Sequence, residues 1–148
     1  MLSPTPQRLA VRVSRCTPPW QGGARGGVHI ALHPSEIRYK LSTNVRDAIR
    51  DLDNEVYLST VSIWEAIVKY QLGKLPLSES PETYLSKQRE LHQIGSLALD
   101  ESSVVQLAKL PPLHRDPFDR MLICQALQND LTIATVDSAV RAYSVSVM

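Results

Sequence analysis

The stretch His114–Arg120, His-Arg-Asp-Pro-Phe-Asp-Arg, concentrates the residues most able to do chemistry in this 148-residue chain. It contains two carboxylates and two guanidinium groups, and the apolar run that follows it is typical of a buried helix. Asp116 is a good helix N-cap, Pro117 suits the first helical position, and Asp119 falls at the third. The pattern predicts either a well-capped helix or the rim of an active site.

Other acids are predicted to lie at one edge of a sheet. In open parallel sheets, ligands bind outside the carboxyl ends of the strands, where the next helices begin. Several carboxylates gathered there repel one another unless a divalent cation lies among them, and oxygen ligands without a histidine cluster indicate Mg²⁺ or Mn²⁺. Such an ion activates water for hydrolysis of a phosphodiester. The acids at such positions are Glu65, Asp100, Asp116, Asp119 and Asp137.

Each of these acids, taken alone, also has a structural interpretation. Glu65 has the spacing of a capping box with the serine three residues before it, and we consider Asp100 a helix cap only. Asp116 and Asp119 would stabilise the start of one helix through its dipole. Asp137 is of a type common in turns. The hypothesis of a metal site therefore depends on the combination.

Four further side chains are candidates for accessory roles. Arg115 and Arg120 are candidates for holding a phosphate backbone, although solvated surface arginines are the commoner situation. Ser59 and Thr135 are candidates for orienting a water or a ligand, and the alternative for both is an ordinary strand residue. Schemes based on a nucleophilic serine elbow or a phosphate-binding glycine loop are excluded, because neither pattern occurs in the sequence.

Strands alternating with helices are predicted from residue 41 onwards, which favours a parallel sheet covered by helices on both faces. Gly73 is in the usual position for ending a helix, and Pro111-Pro112 ends another. The predicted helices are 42 to about 51, 62–72, 81 to about 95, 101–110 and the run from 117, with a short one after 137; the predicted strands are 55–60, 97–99, 131–135 and 143–147.

Residues 1–40 differ from the rest of the chain. They contain half of the ten prolines and four of the six glycines, a composition typical of irregular structure, with Val28–Leu32 as one short candidate strand. Six basic residues and one acid give this segment +5, whereas ten basic and fourteen acidic residues give 41–148 a charge of −4. We therefore predict an irregular segment at 1–40 and one domain at 41–148, whose acidic surface binds nucleic acid only locally or through a metal.

Composition also indicates the compartment. Cys16 and Cys124 lack a metal-ligand spacing and are predicted to be free thiols in a reducing compartment. No apolar run approaches the roughly 18 residues of a membrane span. No continuous hydrophobic segment follows the N-terminal arginines, as it would in a secretory signal. We expect a cytoplasmic protein without membrane contact.

Residues from about 41 to 148 resemble the PIN domain and, within that family, the VapC-type toxins of bacterial toxin–antitoxin pairs. The strongest likeness is His114–Leu122, and the matching stretches follow the family's order and spacing over most of the chain. Those stretches are 54–59, 62–65, 72–75, 114–122 and 131–137.

The resemblance implies a three-layer α/β/α fold, a Mg²⁺-dependent ribonuclease activity on RNA, frequent homodimers and a small antitoxin that blocks the site. By position, Glu65, Asp119 and Asp137 correspond to the family's metal-site acids. Asp116 matches a motif acid more loosely.

The sequence departs from the family at its start. Family members begin with an apolar strand that ends in an aspartate, commonly as Leu-Asp-Thr-His, whereas the first aspartate here is Asp47, inside a predicted helix. We therefore expect the first strand to be missing or improvised, with Val28–Leu32 as the candidate for its place. We hypothesise that the first 40 or so codons are read in a shifted frame or have been replaced, which sequencing the region would test.

Three functions are compatible with these features. The first is a metal-dependent endoribonuclease toxin, impaired or inactive for lack of the first aspartate. The second is a non-catalytic PIN-like protein that binds an antitoxin or another partner. The third is a metal-dependent hydrolase of small phosphoesters, which turnover of such compounds would reveal.

Overall fold

The computed structural model describes residues 8–11, 43–75, 77, 79–135 and 139–148, with the backbone alone at 8, 9, 11 and 46. A short 3₁₀ helix, Val140–Ala142, lies near the C-terminus. The strands are β1 Arg8–Val11, β2 Glu55–Ser59, β3 Gly95–Leu97 and β4 Thr132–Ala134, and the helices are α1 Thr43–Arg50, α2 Thr60–Gln71, α3 Pro81–Leu91, α4 Glu101–Gln106 and α5 Pro117–Asn129.

The four strands form one sheet in the order β3-β2-β1-β4, and every neighbouring pair is parallel. The predicted parallel sheet is therefore confirmed. The first strand, expected to be missing or improvised, is present in an improvised form. The segment Arg8–Val11, which was not predicted to be a strand, forms it in the interior of the sheet. Val28–Leu32, the segment predicted for that place, lies outside the described residues.

The sheet separates two buried clusters, because successive side chains of a strand point to opposite faces. Leu58 of β2 packs with Ala66 of α2 and Leu85 of α3 on one face. Its neighbour Tyr57 packs on the other face, against the cluster that includes Ile123 of α5. Helices α1 to α3 thus cover one face, and α4, α5 and the C-terminal segment cover the other, which is the three-layer α/β/α arrangement expected.

The structure corrects the boundaries around β3. Helix α3 was predicted to run to about residue 95 but ends at Leu91, and Gln93 then takes a left-handed conformation with φ 55°. Strand β3 begins at Gly95 instead of Leu97. A Cβ atom at Gly95 would lie 2.9 Å from the ring of Tyr57, so glycine allows β3 to approach β2 closely.

Two further elements are shorter than predicted. Helix α4 ends at Gln106, and hydrogen-bonded turns continue from there to Leu110. The predicted strand at 143–147 is reduced to one parallel bridge, in which Val147 pairs with Ile133 of β4. No helix within the described ranges is both long and apolar enough to cross a membrane.

Cys124 is a free thiol with no exposed surface in α5, as predicted. Burial raises the pKa of the Cys124 thiol, and the charge of Arg120 opposes this effect only in part. Because the thiolate is the reactive form, we expect iodoacetamide to alkylate Cys124 at least about tenfold more slowly in folded than in urea-unfolded protein. Mass spectrometry of a Cys16→Ser variant measures both rates, and equal rates would contradict the prediction.

Candidate active site

The start of helix α5 has the cap predicted from the sequence. Asp116 accepts hydrogen bonds at Oδ1 from the backbone N–H groups of Phe118 (2.9 Å) and Asp119 (3.3 Å), and Pro117 is the first helical residue. Asp116 is half-buried, whereas Asp119, at the third helical position, is 2% exposed. The capping role therefore belongs to Asp116, and the carboxylate of Asp119 has a different role.

His114 is close to that carboxylate, with its Nε2 atom 2.6 Å from Oδ2 of Asp119. The loop that carries His114 is fixed from two sides. The backbone N–H of His114 donates a hydrogen bond to the hydroxyl of Tyr143 (2.8 Å). The guanidinium of Arg120 donates to the carbonyls of His114 and Leu110, at 3.4 Å each. Arg120, predicted to contact RNA, thus also braces this loop. Tyr143 was not recognised from the sequence, because its partner lies 29 positions away.

Glu65 does not belong to a capping box, which corrects the structural interpretation given above. Helix α2 begins at Thr60 because Ser59 is the cap, with its hydroxyl accepting a hydrogen bond from the N–H of Val61 (3.0 Å). Glu65 therefore lies beyond the first turn, where it cannot satisfy the free N–H groups of the helix start. Its side chain has no exposed surface and forms an ion pair with Lys69, one turn further along.

The two residues that precede these acids bring α2 and α5 together. The rings of Trp64 and Phe118 meet edge to face, with centroids 4.9 Å apart and planes inclined by 76°. Glu65 follows Trp64 in α2, and Asp119 follows Phe118 in α5. The two helices therefore lie side by side at these rings, and each carries one buried carboxylate there.

Ser59 and Thr135 lie at the carboxyl edge of the sheet. Leu58 of β2 and Ala134 of β4 both pair with Val11 of β1, so Ser59 and Thr135 follow at the same level on either side. The side chains of Ser59 and Thr135 are buried. Asp137, the third predicted metal ligand, lies outside the described residues.

Gln125 was missed in the sequence and holds this edge together. Its Oε1 atom accepts a hydrogen bond from the hydroxyl of Ser59 (2.5 Å), and its Nε2 group donates to the carbonyl of Ala98 (3.0 Å), just beyond β3. The side chain has no exposed surface. One residue of α5 thereby fixes the ends of two strands, a role that helical spacing alone does not reveal.

Replacing Gln125 by leucine is expected to lower the free energy of unfolding by about 2 kcal/mol, because the buried hydroxyl of Ser59 loses its acceptor and the carbonyl of Ala98 loses a donor. Urea unfolding followed by circular dichroism measures the change. Gln128→Leu is the matched control, since Gln128 is exposed on the same helix. Equal losses in the two variants would contradict the role assigned to Gln125.

Arg115 and Asp100 are the other predicted residues that the structure describes. Arg115 is exposed in the loop before α5. Asp100 is the cap of α4, as predicted, and accepts hydrogen bonds from the N–H of Ser103 (3.0 Å) and the hydroxyl of Ser102 (2.7 Å). The Ser103 side chain and the Ser102 hydroxyl lower the pKa of Asp100 to about 2.

The donor chemistry is compatible with a hard divalent cation. Mg²⁺ is commonly bound through one or two carboxylates, with waters and substrate phosphates as the other ligands. Glu65 and Asp119 supply two buried carboxylates of this kind. Within the described residues, no group of three or more His, Cys, Asp or Glu side chains is placed to hold a metal ion.

A cleft at the other end of β2 is not part of this site. It is lined by Asp51, Asn54, Glu55 and His92, among others, and β2 begins at Glu55. Parallel sheets bind ligands at the carboxyl ends of their strands, and this cleft lies at the amino end. The buried acids and the cleft are therefore separate features.

Comparisons with known proteins agree with this fold. The model of the PIN domain family matches residues 30–145. A search of curated protein sequences gives no match. The solved structure of VapBC-1 from nontypeable Haemophilus influenzae is similar, with a TM-score of 0.57 and 14% identity over 95% of this chain and 96% of that chain. The structure of VapBC2 from Rickettsia felis bound to a DNA fragment from the promoter is also similar, with a TM-score of 0.56 and 14% identity over 80% of this chain and 87% of that chain.

Proposed function

This chain belongs to the PIN domain family, and on that basis we propose that it is a Mg²⁺- or Mn²⁺-dependent endoribonuclease toxin of a toxin–antitoxin pair. The observation that carries the proposal is the placement of Glu65 and Asp119. Both acids are buried, and they lie on adjoining stretches of α2 and α5 beside the carboxyl edge of the sheet. This is the edge at which parallel sheets bind their ligands.

The burial of these acids supports a role in chemistry. A buried ion pair is weak evidence for stability, because well-packed apolar residues in its place often leave a protein equally stable or more so. Glu65 and Asp119 are largely withdrawn from water beside Lys69 and His114 respectively. With the capping box excluded, Glu65 has no helix-start function to explain its burial.

The site's own residues have distinct roles in this proposal. Glu65 and Asp119 would hold the cation, with Asp137 as a third ligand. A bound divalent ion would supply a Lewis acid for the phosphodiester and make water acidic enough to act as the nucleophile. Asp116, through its cap on α5, keeps Asp119 in place. Arg115, exposed next to this helix start, would contact a phosphate oxygen of the RNA.

Ser59 and Thr135 have secondary roles at the same edge. Ser59 is already engaged as the cap of α2 and as the donor to Gln125, so it would position the helix that carries Glu65. Thr135, buried just beyond β4, would orient a water or a ligand. Arg120 would stabilise the loop that carries His114 and would contact the RNA.

An antitoxin protein would be the partner, and a homodimer the functional assembly, in the cytoplasm. These parts rest on the resemblance to VapC-type toxins and on the fold shared with the two VapBC structures. A non-catalytic version of the protein is favoured by one observation: Arg12, and not an aspartate, follows β1 in the sequence. Such a protein would still bind an antitoxin.

The test is cleavage of a mixture of structured RNAs by the purified chain with Mg²⁺ or Mn²⁺. EDTA and Glu65→Gln serve as controls, since the substitution keeps the shape of the side chain and removes its charge. We expect cleavage that both controls abolish. If folded protein cleaves no RNA yet retains an antitoxin in a pull-down, the chain is a binding protein. Turnover of small phosphoesters instead of RNA would assign it to a different hydrolase class.

A further inference from the structure

Trp64 combines a fixed position with a large exposed surface. The residue is 56% exposed although its ring packs in a T-shaped contact with Phe118, which is half-buried. An aromatic ring fixed by such a contact loses little side-chain entropy when a ligand binds to its exposed surface. Trp64 is thus suited to bind a flat, apolar surface.

The surroundings of Trp64 indicate what that surface is. Trp64 directly precedes Glu65, Phe118 directly precedes Asp119, and the exposed Arg115 lies three positions before Phe118. An aromatic ring beside a cation is the combination by which proteins bind single-stranded nucleic acids, the ring stacking on a base and the cation contacting the phosphate. Because Glu65 and Asp119 each follow one of these two rings in the chain, a base stacked on Trp64 would bring its phosphodiester to the neighbourhood of both acids.

Charge supports the same conclusion. Residues 41–148 carry ten basic and fourteen acidic residues, so attraction between this part of the chain and the RNA backbone is weak. Affinity for RNA within this part of the chain then depends on contacts other than net charge. Stacking on an aromatic side chain is such a contact, and it is available to every base.

We propose that Trp64 is a stacking platform for one base of the RNA and that it positions the adjoining phosphodiester at Glu65 and Asp119. This inference rests on the proposed function, because it assumes that RNA is the ligand. A base inside a duplex has both faces covered by its neighbours, so the base that Trp64 contacts must be unstacked on one side.

The test measures binding of a labelled single-stranded RNA by fluorescence anisotropy, in an Asp119→Asn background that leaves the RNA uncut. We expect Trp64→Leu to weaken binding by about tenfold and Trp64→Phe to retain most of it. Tyr70→Leu is the matched control, because it removes another exposed aromatic ring of α2. Thermal melting of each variant verifies that the fold is intact.

A second measurement separates stacking from a structural role. A set of RNAs is made in which a single abasic position is moved along the strand. One of them should bind the parent protein about tenfold more weakly than intact RNA does. The Trp64→Leu variant should bind that RNA and intact RNA equally well. With Trp20→Phe, Trp64 is the remaining tryptophan, and its fluorescence should be quenched by RNA but not by that abasic strand.

The inference is overturned if Trp64→Leu binds RNA as tightly as the parent, if abasic positions weaken both proteins equally, or if the folded parent binds no RNA. Its failure can be told apart from failure of the proposed function. Binding that depends on Trp64 without cleavage by the unmodified chain rejects the nuclease and keeps the platform. Metal-dependent cleavage that Trp64→Leu leaves unchanged keeps the nuclease and rejects the platform.

Discussion

Asp119→Asn is expected to reduce metal-dependent RNA cleavage at least about 100-fold, because even the outer partners of metal ligands are typically worth 10- to 100-fold. The substitution keeps the shape of the side chain and removes the charge that would hold the cation. The carboxylate is 2% exposed, so bulk water cannot substitute for it without rearrangement of the helix start. The measurement is the initial rate of RNA cleavage at saturating Mg²⁺.

The same substitution should leave the fold almost unchanged. Asp116, not Asp119, accepts the hydrogen bonds that cap α5. Loss of one negative charge near the positive end of the helix dipole costs about 0.3–1 kcal/mol. The amide oxygen of asparagine can also remain beside His114 if the imidazole nitrogen is protonated. We therefore expect the free energy of unfolding, measured by urea unfolding, to change by less than about 1 kcal/mol.

Asp116→Asn is the matched control for this experiment. Asparagine is as good an N-cap as aspartate, so the variant should keep α5 and most of the activity. Two chemically identical substitutions three positions apart are thus expected to differ in cleavage and to agree in stability. Full activity of Asp119→Asn, or the same loss in both variants, would contradict the assignment of the metal site to Asp119.

Local rules were sufficient to predict the start of α5. The sequence Asp116-Pro117 specifies a cap and a first helical residue through interactions within one turn, and the structure has both. The start of α2 was placed wrongly because two serines compete for the cap. Ser59 is the cap, and its position is fixed by the hydrogen bond to Gln125, 66 residues away. Only the tertiary structure decides between the two.

Strand β1 and the residue Gln125 could not be predicted for a related reason. Arg8–Val11 is four residues long and begins with arginine, so its own preference for a strand is weak. It is a strand because β2 pairs with it on one side and β4 on the other. The distinction between Gln125 and the exposed Gln128 likewise depends on which side of α5 faces the sheet, and that is a property of packing.

The register of β1 identifies where the family's first aspartate would stand. Val11 pairs with Leu58 and with Ala134, the residues that directly precede Ser59 and Thr135. The residue that follows Val11 in the sequence is Arg12. The resemblance to the PIN family implies an aspartate at the end of the first strand, so Arg12→Asp would add a carboxylate and remove a cation at one position.

We expect Arg12→Asp to raise the rate of metal-dependent RNA cleavage about 100-fold, because a displacement of roughly 1 Å in the reacting groups can cost that factor and a further ligand would correct it. Mg²⁺ should also raise the melting temperature of this variant more than that of the parent, since a ligand that binds the native state stabilises it in proportion to its affinity. Cleavage assays and thermal melts with and without Mg²⁺ measure the two effects.

Two controls separate the position from the charge. Arg12→Asn removes the cation without adding a ligand, and Arg15→Asp makes the same change of charge three positions further along. Only Arg12→Asp should gain both cleavage and Mg²⁺-dependent stability. If Arg15→Asp gains as much, the effect is one of net charge. If the folded Arg12→Asp variant gains neither, the absent aspartate does not limit this chain, and the acids already present determine whatever activity it has.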